Sequence, residues 1–138
     1  MMFSYEVDRE RLRLVTVWTG DVTMQGALEH IENRAAQDTI GYAQLIDATG
    51  ARVVFSSAEA GRIAQAMKLH AGDRPLGPTA FLVSNDCDFG MYRLFGTLAD
   101  DAYVVNVFRS RHEALRWLGW EAESGELKAG DRINLDAA

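Results

Sequence analysis

The residues best placed to do chemistry gather around SNDCDFG, residues 84–90. Asp86 and Asp88 flank Cys87, the only cysteine of the chain. Two carboxylates so close together could hold a divalent cation or divide acid–base work. A thiol at the start of a helix becomes more acidic and so more nucleophilic. Each reading lacks its partner. His30, His70 and His112 are scattered over helical stretches, without the i, i+4 pairing of a zinc-binding helix. The acids beside Cys87 work against its ionisation, and no histidine base lies near. Asp86 or Asp88 is expected to cap a helix instead. Asp-Phe-Gly is not a kinase signature here, because no glycine-rich loop, Val-Ala-Ile-Lys or His-Arg-Asp accompanies it. Gly90 is expected to let the helix start pack closely against a neighbour. The expectation is therefore no catalytic set, no metal and no cofactor.

Phe89, Tyr92, Arg93 and Gly96 recur at helical spacing just after this stretch. Two aromatics, a small residue and a cation could line an apolar pocket with an anchor for an anion. They could equally form a subunit interface, or a core edge with Arg93 in solvent or paired with Asp100.

The surrounding elements must position these groups. FSYEV and LRLVTVWT, joined by DRER, read as a β-hairpin ended by Gly20-Asp21. Arg9, Arg11 and Arg13 alternate along one solvated strand face. The segment 23–37 carries Met24, Leu28, Ile31 and Ala35 on one helical face, with Thr23 as N-cap; Gly26 weakens its start. YAQLIDATG is an apolar strand running into a glycine turn. Residues 56–72 form a helix with Ala60, Ile63, Ala64, Met67 and Ala71 inward, a Ser56/Glu59 capping box and a stop at Gly72. TAFLVS is a third apolar strand. A helix starting near Asp88 follows, with Met91, Leu94, Phe95 and Leu98 inward. YVVNVF is the last strand, and SRHEALRWLG the last helix. Of the tryptophans, Trp120 is expected to be the most exposed. Strands separated by helices predict parallel crossovers. Ligands of such sheets favour the crevice beyond the strands' carboxyl ends. That rule collects Asp47 and Thr49, then Ser84 to Cys87, then Arg109 and Ser110.

The 138 residues, 48% apolar and 25% charged, suit one soluble globular domain. A net charge of −6 argues against nucleic acid or an anionic membrane as partner. No apolar run is long enough for a membrane span, and the N-terminus lacks the pattern of a signal peptide. One cysteine and no disulfide predict a cytoplasmic protein.

LIDATGARVVFSSAEAGRI is similar to the central stretch of STAS domains, in which a strand ends in Asp and a serine opens the next helix. FLVSNDCDFGMYRLFGTLADDAYVVNVFRSRHEALRWLG resembles the bacterial SpoIIAA-like (STAS/SEC14-type) family, across roughly residues 3–119. The resemblance implies an α/β domain over 1–120: a mixed sheet with an N-terminal hairpin, parallel βαβ crossovers and about four helices. An acidic tail, 121–138, lies outside it. In phosphorylated antagonists of that group the helix-opening serine follows Asp and precedes Ser-Gly. Here Phe55, Ser57 and Ala58 surround Ser56, so phosphorylation of Ser56 is implied only in part, and plain capping is the rival reading. The implied function is a non-enzymatic binding or regulatory module. It would act through protein contacts or a small apolar or anionic ligand, with Asp47, Thr49, Asp86, Phe89, Tyr92, Arg93 and Arg109 as its ligand-binding residues. A homodimer is expected, as the commonest assembly. The alternatives are a carrier of a lipid or other hydrophobic molecule, and a small enzyme using the strand-end crevice.

Overall fold

The computed structural model describes residues 1–102 and 104–120; the expected acidic tail lies outside these. The order is β1 (Met2–Asp8), β2 (Arg13–Val22), α1 (Met24–Ala36), β3 (Ala43–Val53), α2 (Ser57–Ala71), β4 (Thr79–Leu82), α3 (Asp86–Leu98), β5 (Val105–Phe108) and α4 (Arg111–Leu118). The five strands form one sheet in sequence order. β1 and β2 pair antiparallel, and every later neighbour pairs parallel. Each parallel step needs a crossover, which α1, α2 and α3 supply. The mixed α/β sheet with an N-terminal hairpin and four helices is the architecture expected.

Alternation along the strands divides the apolar side chains between two faces. Trp18, Ile46, Phe81, Val83 and Val107 pack under α1, α2 and α3. Leu45, Ala80 and Leu82 face the other way, against Ala114 and Leu115 of α4 and Trp120. α2 buries Ala60, Ile63, Ala64, Met67 and Ala71, and its capping box is complete.

Several local expectations change. β2 continues through Gly20 and Asp21 to Val22, and β3 continues past Gly50 to Val53. The register between them shifts after Val17–Asp47, so that Trp18 spans both Ala48 and Thr49. The glycine marks a β-bulge, not a strand end. Arg9 and Arg11 lie in the hairpin turn, and only Arg13 is in a strand. α1 is capped by Thr23, yet its buried face is Gly26, Ala27, His30, Ile31 and Arg34; Met24, Leu28 and Ala35 are half-buried. The face turns because the two polar residues find partners inside. Arg34 donates to the carbonyls of Thr39, Ile40 and Tyr42 at 2.7, 3.1 and 3.1 Å, tying the α1–β3 connection. A Cβ at Gly26 would meet the flexible end of the Met1 side chain and lie 3.3 Å from the capping Thr23 Oγ1.

α3 begins at Asp86, and its N-cap is Asn85, whose side chain accepts from Asp88 N at 2.8 Å. Neither aspartate caps. Gly90 has nothing within 4 Å of a would-be Cβ, so it serves no close packing; Gly96 does, with Val105 Cβ at 3.2 Å. Trp120 is buried. Gly119 is left-handed (φ 79°), which lets Trp120 N bond to Leu115 O at 2.8 Å and folds the indole onto the sheet. The Arg13 guanidinium covers the ring at 4.9 Å.

Candidate functional site

The carboxyl ends of β3, β4 and β5 bring two sets of side chains together. The first centres on Asp47, 1% exposed. The bulge after it turns Thr49 back, so that Asp47 Oδ1 accepts from Thr49 N at 2.9 Å and Thr49 Oγ1 at 2.6 Å. Its other oxygen is ion-paired with Arg111, in the first turn of α4. Ser84 Oγ donates to Thr49 O at 3.2 Å, joining β4 to the bulge. Desolvating such a pair offsets much of its attraction, but losing one partner strands a charge in the interior. Arg111 Nη1 is buried without a hydrogen-bond partner.

The second set is exposed. Asp86, its side chain 84% accessible, is ion-paired with Arg109. Solvent limits such a bridge to about 0–1 kcal/mol. Phe89 is half-buried one turn along α3. The Arg109 guanidinium lies 5.0 Å from its ring centroid and that of Arg93 5.9 Å, so two cations flank one aromatic.

Tyr92 leaves this stripe. It is 2% exposed, stacks on Phe81 at 4.2 Å, and its hydroxyl has no hydrogen-bond partner. Burial, then the charge of Asp88, pushes the phenol pKa upward. Asp88 is also inside at 1% exposure; its Oδ1 accepts from Val53 N at 3.0 Å, holding α3 to the end of β3, and its Oδ2 has no partner. The helical period placed Tyr92 beside Arg93 correctly, but neighbours in sequence look in different directions across a helix edge. Ser56 stands apart and exposed, its Oγ accepting from Glu59 N at 3.1 Å and its N–H donating to Glu59 Oε1 at 2.8 Å. Cys87 is a free, exposed thiol.

Sequence reasoning missed Arg111, whose pairing with Asp47 spans 64 positions. It also missed the polar network under the hairpin. Gln44 Nε2 donates to Thr16 Oγ1 at 2.8 Å and to His30 Nε2 at 3.1 Å. With Nε2 accepting, His30 Nδ1 donates to Tyr5 Oη, 2.9 Å away. Burial, reinforced by the nearby Arg34 charge, pushes the His30 pKa down to about 3. Polar residues at inward positions of an apolar pattern were the available signal.

Between Trp18, His30, Gln44, Phe81 and Tyr92 lies a cavity of about 30 Å³, room for one or two waters. Among the described residues no three or more His, Cys, Asp or Glu side chains gather as metal ligands, and no helix is long and apolar enough to cross a membrane.

Among solved structures, an uncharacterised protein of the DUF3478 family with a SpoIIAA-like fold, from Shewanella loihica, superposes with a TM-score of 0.56 at 18% identity, over 85% of this chain and 92% of that one. The chain has a SpoIIAA-like fold. The unphosphorylated anti-sigma factor antagonist SpoIIAA matches at a TM-score of 0.47 and 12% identity, over 81% of this chain and 92% of its own. The phosphorylated Bacillus cell fate determinant SpoIIAA gives 0.46 and 13%, over 85% and 99%. No family model and no curated protein matches. In this SpoIIAA-like chain the two side-chain sets flank the start of α3, and Ser56 opens α2.

Proposed function

We propose that this protein is a non-enzymatic, regulatory binding module of the cytoplasm whose partner is a protein bearing acidic groups. The observation that carries the reading is Phe89, held half-open between the guanidinium groups of Arg93 and Arg109. Aromatic and arginine side chains are the types enriched at protein interfaces. A partner carboxylate could take the place of Asp86 on Arg109, because that bridge is exposed and weakly held. Buried Asp47, held by exposed Thr49 and half-buried Arg111, supports the reading as a brace beside this surface.

The other readings have less behind them. Ligand sites of about 300–1,000 Å³ are usual for small molecules, and the cavity of about 30 Å³ beside Tyr92 is far smaller than that. Buried Asp47 is engaged by Arg111 and exposed Asp86 by Arg109, which does not favour their sharing a proton. Phosphorylation of Ser56 keeps one supporting observation: the hydroxyl is exposed at the start of α2, where a negative charge is stabilised.

Native mass spectrometry of the purified protein, followed by affinity capture with wild type and with Phe89→Ala/Arg109→Ala, tests the proposal. A protein retained by wild type and lost at least tenfold by the folded double variant supports it. Capture indifferent to both substitutions, or a small-molecule adduct that leaves on denaturation, overturns it. A phosphate mass that persists in Ser56→Ala refutes the phosphoserine reading.

A further inference from the structure

β5 is an edge strand, and among the described residues nothing pairs with its outer side. Its inner side is defined by two bonds, Thr79 N to Val104 O at 3.0 Å and Val83 N to Phe108 O at 2.9 Å. Alternation therefore turns the N–H and C=O groups of Val105 and Val107 outward. Val107 N–H is already taken by Asn106 Oδ1 at 2.9 Å. Val105 remains, with neither group bonded among the described residues. Alongside runs a shallow groove of about 310 Å³, walled by Arg93, Gly96 and Thr97 of α3, by Asp100 just past its C-cap, and by Val105 and Asn106.

The charges of this groove suit a copy of itself. Arg93 lies in the middle of α3 and Asp100 just beyond its C-cap Ala99, at opposite ends of the groove. Among the described residues neither side chain has an ion-pair partner. Gly96 and Thr97, both small, lie midway between them, and Gly96 is level with Val105. A two-fold axis through Val105, normal to the sheet, keeps both α3 helices on one face and runs them antiparallel. Arg93 of each copy then faces Asp100 of the other. The two Val105 residues exchange a pair of N–H···O bonds, as in any hydrogen-bonded antiparallel pair. Val104, 62% exposed and next to the joint, adds apolar area. The opposite edge offers no such match, since the charged residues of β1 are Glu6 and Asp8, both acidic.

We propose that the protein forms a two-fold homodimer through the outer edge of β5, with Arg93 of each α3 paired with the Asp100 that follows the facing α3. A closed, isologous contact of this kind satisfies an edge that would otherwise invite open-ended pairing. The contact shares Arg93 with the proposed partner surface, but Phe89 and Arg109 lie outside it: Phe89→Ala is expected to leave the dimer intact.

Sedimentation analysis of the full chain over a range of concentrations tests it. The expected result is a species of twice the 15.3 kDa chain mass. Arg93→Asp and Asp100→Arg, each folded by circular dichroism, should weaken dimerisation at least tenfold, and the double reversal Arg93→Asp/Asp100→Arg should restore it. Thr97→Cys in a Cys87→Ser background should give a covalent dimer on mild oxidation. A monomer at every concentration, as expected if residues 121–138 or nothing at all fill the edge, overturns the proposal. So does a dimer indifferent to both single reversals, or one that the double reversal fails to recover.

Discussion

His30 shows how much one buried side chain can govern. Its ring lies inside the core, hydrogen-bonded to Gln44 and Tyr5 and close to Arg34, and its pKa is lowered to about 3. The unfolded value is about 6.5. Between the two, the unfolded chain binds a proton that the folded chain refuses, so stability rises with pH in that window. His30's contribution is complete above about pH 6.5 and drains away as pH falls toward 3, at up to about 1.4 kcal/mol per unit. Urea unfolding of wild type and His30→Gln at pH 7.5 and 4.5 measures it. Wild type should lose more stability on acidification than the variant; equal losses would show that the imidazole is not the responsible group. Neither the burial of His30 nor that of Arg34 follows from the spacing of α1. Both depend on carbonyl and amide groups contributed by the α1–β3 connection and β3.

Elements differ in how openly the sequence declares them. α2 was legible throughout, because its five inward residues and its cap all lie within one helix. Ser56→Ala removes one half of the capping box and should cost about 1 kcal/mol in chemical denaturation; no change would mean that water replaces the cap. The two glycines of α3 make a sharper test. Gly90→Ala meets nothing and should stabilise by about 0.5–1 kcal/mol through helix propensity. Gly96→Ala gains the same propensity but drives a methyl to 3.2 Å from Val105, so it should be the less stable of the two variants. The reverse order would show that α3 can move off β5. Gly77 is less forgiving still. A Cβ there would sit 2.0 Å from the backbone oxygen of Tyr42, and Gly77→Ala should destabilise by about 1–3 kcal/mol or more.

For the whole molecule, one sheet joins a large apolar layer under three helices to a small one under α4. Leu45 and Ile46, adjacent in β3, feed opposite layers. Far-UV circular dichroism and tryptophan fluorescence should therefore follow one denaturation curve. Separate midpoints would mean that the α4 side melts alone. At this scale the resemblance read from FLVSNDCDFGMYRLFG agrees with the SpoIIAA-like superposition, although shared fold at 18% identity leaves the activity to be argued from the site.

Element order, parallel crossovers and the inward face of α2 follow from local spacing and capping, since they turn on residues within a few positions of one another. The partners of Asp47, the inward turn of Asp88 and Tyr92 and the burial of Trp120 do not. Each is settled by groups that arrive from other strands and helices: Arg111 from α4 for Asp47, Val53 N from β3 for Asp88, Phe81 from β4 for Tyr92, Arg13 from β2 for Trp120. Periodicity reports which side of an element is apolar. Whether a carboxylate or guanidinium can also be buried depends on a distant partner that offsets its desolvation, and that information exists only once the chain has closed on itself.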